Sequence, residues 1–546
     1  MSRVEITLLL LLLFAIVGGV ALIPDDPRSQ HALGQPSPVD WPAVSDNPDQ
    51  KLDLSWMGIP IHIGGDDDAW IIRNLEERFN VDIAPVFMDS NGYKRRRPLL
   101  LVGGDVPDVM WDGDPLRVRR NLKNGFIMEL PYGVILKHAP TYVGYLNQIG
   151  KEAWLYSHAD GKNYGLPTFD LMAAGPRIGT WRADWLENVG IDKVPETIEE
   201  MGEALRRFRE DDPDGNGDKD TYGWSPDVTH WSLAFAEIFA AFDTLGFDFI
   251  ERDGAVVWGG VLPEAKEALA VMHRWYDADL LDRDFVLHVR KSGTEFQNGR
   301  VGYKYPVDHY FEYDPEHSGS LLSQVQALNG GGRMVASAPL RNAAGRRSGR
   351  TWGGAAHVMQ FGKHLEDQPE KVVRVLKMLE AITKDRVLYA QARFGQRDEH
   401  WAFDTQRGRV TLPPYTGDKR LTSGELLPKS NFFFPSVIYD HDFITSEEAS
   451  WIQAHRDPSW GLYNVLGKSD VVPSAGRYLG DLRNWQMTAF IEFVRGDRPL
   501  EAFDDFVAEW NRRGGDVLTR EANAMFEQMK AIYAAVGVEG LKGAAP

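Results

Sequence analysis

Beyond residue 50 the apolar residues of this chain recur with two alternating periods. Leu52, Leu54 and Trp56 fall at every second position, the spacing of a half-buried strand. Residues 70–79 then place Ile72, Leu75, Glu76 and Phe79 at helical spacing, and 81–88 read as a second strand. A β-α-β start predicts a sheet with helix-covered faces. Residues 106–110, after the Gly103-Gly104 turn, read as a buried strand, and 369–384 carry Val372, Val373, Leu376 and Leu379 on one helical face. Near the end Pro499 opens a helix through Leu500, Phe503, Phe506, Val507 and Trp510, which Gly514-Gly515 stops. A closing helix follows through Phe526, Met529 and Tyr533, and no internal repeat is visible.

A chain of 546 residues exceeds what one core usually organises, so two or more lobes are expected. With 43% hydrophobic and 25% charged residues it has the composition of a globular protein. The net charge of −19 argues against nucleic acid as a partner, because a phosphate-tracking surface needs clustered cations. The one dense basic run, Lys94-Arg95-Arg96-Arg97, reads as a solvated loop. Without cysteine there is no disulfide, no thiolate metal site and no lipid-bearing cysteine.

At the N-terminus, residues 6–23 form an uncharged Leu-rich run behind Arg3, at the border between a signal peptide and a spanning anchor. Gly19-Val20-Ala21 suits cleavage after Ala21; with or without cleavage, the rest is expected outside the cytoplasmic membrane, periplasmic or anchored to its outer side. Six prolines between 24 and 50 read as an extended, unfolded leader.

The residues 212–220, Asp-Pro-Asp-Gly-Asn-Gly-Asp-Lys-Asp, set oxygen-bearing side chains at Asp212, Asp214, Asn216, Asp218 and Asp220, with Gly217 at the sixth position. Calcium loops use this layout to gather six to eight oxygens, although the twelfth position, where a bidentate Glu belongs, is Gly223. Two readings stay open, a calcium loop of another architecture or a solvated Asp/Gly turn. Just before it, Thr197 and Glu200 form a capping box for a helix with Ile198, Met201, Leu205 and Phe208 on one face.

This helix and loop, with the flanking 181–186 and 220–223, resemble the family 1 extracellular solute-binding proteins of bacterial ABC importers. The resemblance is to the large oligosaccharide binders, alginate-binding proteins among them. Residues 160–167, 296–302 and 496–500 agree in order, so it covers roughly 50–535. It implies an α/β, two-lobed periplasmic-binding-protein fold, each lobe a sheet flanked by helices with a ligand cleft between. Lobe 1 is expected from 51–170 plus 340–400 and lobe 2 from 171–339 plus 401–546, with crossings near 168–178, 335–350 and 395–415. It also implies an oligosaccharide ligand held by hinge closure, a structural Ca²⁺, permease subunits as partners, a monomer, and membrane contact only through 6–23.

Candidate ligand contacts follow from loop context and the resemblance. Trp111 and Asp112 end a strand that meets the cleft in similar proteins, Phe169 lies at a crossing, and Tyr303 and Tyr305 follow a cleft-facing stretch. Trp224, Trp231, Trp352 and Trp401 stand beside Gly, Asp, His or Arg in predicted loops, where indoles stack on sugar rings; His230 and Arg397 belong to polar clusters. Trp70, Trp275 and Trp510 follow helical spacing and read as core.

None of the 14 His starts a His-Glu-x-x-His motif, no Gly-x-Ser-x-Gly elbow occurs, and Gly467-Lys468-Ser469 fails as a phosphate loop because Leu462 replaces the required glycine. No catalytic residue is therefore named. A secreted polysaccharide-degrading enzyme, whose paired carboxylates are a spatial matter, and a receptor of the same fold for a peptide or other solute remain the alternatives.

Overall fold

The computed structural model describes residues 37–59, 68–287, 292–317, 319–416 and 432–538. The apolar run 6–23 and the leader up to 36 lie outside them. Strand β1 (Leu52–Met57) buries Leu52, Leu54 and Trp56 and exposes Asp53, as the alternation predicts. Helix α1 (Trp70–Phe79) ends at Asn80, whose φ of 52° turns the chain into β2 (Val81–Pro85). β2 runs parallel to β1, with Leu54 opposite Ile83. Helix α2 (Ser90–Val102) leads to β3 (Val109–Asp112), also parallel to β1, and β4 (Leu166–Phe169) follows with all four residues buried.

The chain then builds a second sheet from β5 (Gly179–Arg182), β6 (Tyr222–Trp224), β7 (Val301–Lys304) and β8 (Met334–Ser337), in the order β8-β5-β7-β6. It returns as β9 (Ala355–Phe361), antiparallel between β3 and β4, which completes the first sheet as β2-β1-β3-β9-β4. Two sheets, each with its own helices, give the expected two-lobed α/β architecture.

Helix α3 (Ile198–Glu210) carries the predicted capping box: Thr197 Oγ1 accepts from the Glu200 amide and Glu200 Oε2 accepts from the Thr197 amide, both at 3.2 Å. Its buried side, Met201, Ala204, Leu205 and Phe208, packs toward the second sheet.

The chain passes from the first sheet to the second between β4 and β5 and back between β8 and β9. Trp401 stays against lobe 1, with Phe394 at 6.2 Å and Phe443 at 5.5 Å between ring centroids, and the Val437 amide donates to the Phe169 carbonyl at 3.0 Å. Helix α4 (Ser446–His455) packs on lobe 2, where Trp451 meets Tyr310 and Tyr313.

Two further readings change. From residue 37 the leader is docked on lobe 1: Val39 and Trp41 are buried, and the Asp46 carboxylate is covered between Arg374 at 2.7 Å and Lys377 at 3.0 Å. The basic run 94–97 is helical, with Arg97 turned inward. At the C-terminal end α5 (Ala475–Arg495) lines lobe 2, and Gly514, at φ 112°, breaks the chain where the sequence places a stop. Helix α6 (Asp516–Ala535) then reaches back to lobe 1, where Asn147 Nδ2 donates to the Val536 carbonyl at 2.9 Å. Among the described residues no helix is long and apolar enough to cross a membrane.

Candidate functional site

The first two passages run side by side, the Arg177 amide donating to the Arg350 carbonyl at 2.8 Å. Alternate residues of extended chain share a face. Arg350 and Trp352 accordingly meet, the guanidinium carbon lying 4.1 Å from the ring centroid. Trp231, in the loop after β6, meets Trp352 edge-on at 6.3 Å and His230 at 5.1 Å. Arg483 of α5 covers Trp231 at 3.7 Å, and Arg177 lies 5.6 Å from Trp352. Guanidinium groups hold aromatic faces in this way by charge–quadrupole attraction. Trp231 and Trp352 are half-buried and His230 is exposed, so the cluster keeps an open side.

Each guanidinium of this cluster has a carboxylate behind it. Arg350 meets Asp248 at 3.0 Å, Arg177 meets Asp308 at 2.9 Å, and Arg483 lies 3.5 Å from Asp470. Partial burial first, then Arg483 and Arg350, holds His230 below the usual histidine range.

A second aromatic cluster caps lobe 1. Trp111, at the end of β3, packs against Tyr93 of α2 at 5.5 Å and His357 of β9 at 4.6 Å. Asp112 beneath it is fully buried and binds Arg97 at 3.0 Å and Arg117 at 2.9 Å, so it orders the cluster. Lys468 spans from the segment before α5 and donates to the Gly113 and Ala356 carbonyls, both at 2.7 Å. Burial pushes Lys468 down to about 8, and burial with Lys468 and Arg117 nearby holds His357 well below its usual range.

Of the other sequence-derived contacts all but Arg397 are buried. Phe169 is buried against Tyr142 at 5.1 Å. Trp224 and Tyr303 are buried in the second sheet 5.8 Å apart, and the Tyr303 hydroxyl donates to Glu237. Trp401 is buried and Arg397 is exposed beside it, 5.9 Å from its ring, away from both clusters on the Phe394–Phe443 side of lobe 1. Tyr305 is buried behind the passage cluster, near enough to Arg177 and Arg350 to feel their charge. The loop-context signal was blind to Arg177, Arg350, Arg483, Tyr93 and His357. The alternation Arg350-Thr351-Trp352 was the one local sign that could have flagged Arg350. A separate cavity of about 350 Å³, lined by Gly104, Asp105, Val106, Gly125, Phe126, Lys363 and His364, opens at the opposite end of β3.

The loop 212–220 is exposed over most of its length, with Gly215 and Gly217 at φ 69° and 85°. Asp212 accepts from the Asn216 and Gly217 amides at 3.1 and 3.0 Å, and Asn216 Nδ2 donates to Asp214 at 2.9 Å and Asp220 at 3.4 Å. Asp214 sits above the usual carboxylate range through partial burial, with Asp212 and Asp220 adding to it. Such crowding of acidic oxygens fits a hard cation in kind. Among the described residues, however, no three His, Cys, Asp or Glu side chains gather closely enough to hold a metal. A twelfth-position carboxylate has no place, because a Cβ on Gly223 would lie 2.6 Å from Leu205 Cβ. Thr221 is buried and donates to the Phe208 carbonyl at 2.7 Å, away from the loop.

No protein-family model matches the chain. Over 488 residues it is 24% identical to the lipoprotein LipO of Bacillus subtilis, covering 85% of this chain and 90% of that protein. Over 503 residues it is 23% identical to the polygalacturonan/rhamnogalacturonan-binding protein YtcQ of the same organism, covering 88% and 93%. Among solved structures, alginate-binding protein AlgQ2 without calcium ion superposes with a TM-score of 0.58 at 17% identity, over 88% of this chain and 98% of that one. An EF-hand mutant of the Streptococcus pneumoniae substrate-binding protein FusA, in complex with fructo-nystose, gives 0.57 at 16%, over 88% and 100%. The fold is that of ABC-transporter solute-binding proteins.

Proposed function

We propose that this chain is the substrate-binding receptor of an ABC importer, capturing an oligosaccharide between its lobes by hinge closure. The observation that carries this is the half-buried Trp231–Trp352 pair, held by Arg350, Arg483 and Arg177 where two interlobe passages run together. Indole faces suit the apolar faces of sugar rings, and guanidinium N–H groups suit hydroxyl oxygens. His230 and Trp111 complete the proposed contacts, with Tyr305 behind them. Ligand touching both lobes favours the closed state, which permease subunits can read. The relatives named above include binding proteins, and no catalytic step is proposed.

Calcium is proposed as structural. Asp212, Asp214, Asn216 and Asp220 would bind it by side chains and Asp218 by its carbonyl, fixing the end of α3 against β6. Export is proposed through 6–23, with the folded part acting as a monomer outside the membrane.

A thermal-shift screen against oligosaccharides, followed by small-angle scattering, tests the receptor reading. A bound sugar is expected to raise the melting temperature, come off chemically unchanged and reduce the radius of gyration. A sugar returned shortened would replace the receptor by an enzyme.

A further inference from the structure

The two aromatic clusters are held by one short turn, residues 464–470. Asn464 and Ser469 are buried in it, and Asn464 Nδ2 donates to Ser469 Oγ at 2.7 Å. Gly467, at φ 73°, lies against lobe 1, since a Cβ there would come within 2.4 Å of the Tyr156 hydroxyl oxygen. Just before the turn, Gly461 and Leu462 pair with Gly349 and Arg350 of the second passage, which places the turn where the lobes join.

Two links run from this turn to the passage cluster. Asn464 Nδ2 donates to Asp248 at 3.1 Å, and Asp248 holds the Arg350 that lies over Trp352. Asp470 lies 3.5 Å from the Arg483 that covers Trp231. A third link runs to lobe 1. Lys468 Nζ donates to the carbonyl of Gly113, just past Trp111 on the chain, and to that of Ala356, which precedes His357. Hydrogen bonds from a charged donor are about twice as strong as neutral ones, so the ammonium fixes the chain on both sides of the Trp111–His357 contact.

Trp111, His357, Trp231 and Trp352 all keep exposed surface. Lys468 and Asp470 are separated by at most about 7 Å even in extended chain, so the two clusters are anchored to neighbouring points. A ligand that meets two linked sites makes its second contact intramolecularly, and the gain is lost where the geometry forbids both contacts at once.

Resting on the receptor reading above, we propose that Lys468 is a positioning residue: it holds Trp111 and His357 at a set spacing from Trp231 and Trp352, so that the site selects oligosaccharides long enough to engage both clusters over single sugars.

Titration calorimetry on the full chain, with calcium supplied, tests this with ladders of fructo-, xylo- and galacturono-oligosaccharides, each from the monosaccharide upward. In the ladder that binds, affinity is expected to step up at least about tenfold at the length that reaches both clusters. Lys468→Met keeps a long side chain and loses the N–H donors. It is expected to remove the step, weakening the long sugar at least about tenfold and the short sugar less than about twofold. A lysine with a merely structural role would weaken long and short sugars alike.

An equal loss for both lengths, or an unchanged step in folded Lys468→Met, overturns the proposal. A wild-type ladder without a step also overturns it and leaves the receptor standing, whereas binding by no sugar in any ladder removes the receptor reading itself. Should Lys468→Met fail to fold, Asp470→Asn, which loosens the same turn from Arg483, repeats the measurement with the same expected and overturning results.

Discussion

Two groups of aromatic residues look alike in sequence and differ in everything that surrounds them. Trp224 and Tyr303 lie inside the second sheet with Trp181, the Tyr303 ring tilted against Trp181 at 4.4 Å across β5 and β7. Gly179 is obligatory beneath them, since a Cβ there would lie 1.9 Å from the Tyr303 hydroxyl oxygen. Trp231 and Trp352, by contrast, are half-exposed and bounded by guanidinium groups. The first group has given its surface to other side chains and contributes to stability. The second keeps surface free and can contribute to binding.

The largest expected effect separates these roles directly. Trp224→Ala should lower stability by about 3–5 kcal/mol in chemical denaturation, while the folded fraction binds sugar as before. A loss of affinity with unchanged stability would place Trp224 in the cleft after all.

Next comes the pH response of the same core. Glu237 is buried, its usual carboxylate value pushed up to about 7 by burial, with only the Tyr303 hydroxyl acting against that. The folded state therefore holds the proton more tightly than the unfolded chain. Its contribution is complete below pH ~4.5 and is lost as pH rises through about 7, roughly 3 kcal/mol in all. Denaturation midpoints should fall over that window in the wild type, and Glu237→Gln should flatten this part of the profile. A wild-type profile that rises instead contradicts the assignment.

Calcium gives a comparable or smaller shift. At a hundred times its Kd a ligand specific to the folded state adds about 2.7 kcal/mol, so chelation should lower the melting temperature and Asp214→Ala should abolish the difference. Identical melting curves with and without chelator would leave 212–220 as a turn.

The smallest effect belongs to the exposed pair. Trp352→Ala should weaken binding of the best sugar by about 0.5–1.5 kcal/mol beyond lost contact area, roughly two- to tenfold, with stability nearly unchanged. Were Trp352→Ala to cost as much stability as Trp224→Ala, the contrast between the two groups would collapse.

Much of the scaffold was legible locally. The alternation in 52–57, the capping box at Thr197 and Glu200, the helix Pro369–Lys384 and the stop at Gly514 are properties of neighbouring residues, and each appears where the sequence puts it. The site was less legible. Loop context flagged Trp224, Trp231, Trp352 and Trp401 alike, because each stands beside polar or glycine residues; only packing distinguishes them. Trp401 is covered by Phe394 and by Phe443, which lies far along the chain, and Trp224 is covered by Tyr303.

By itself, then, the sequence determined the β-α-β start, the capped helix before 212–220 and the oxygen-bearing layout of that loop. Those depend on periodicity, caps and turn residues, which act over a few positions. Tertiary structure alone decided the docking of Val39 and Trp41, the pairing of Arg350 with Asp248, and the exclusion of a side chain at Gly223 by Leu205. These depend on which distant surfaces meet, and burial and charge pairing are set by that meeting, not by neighbours along the chain.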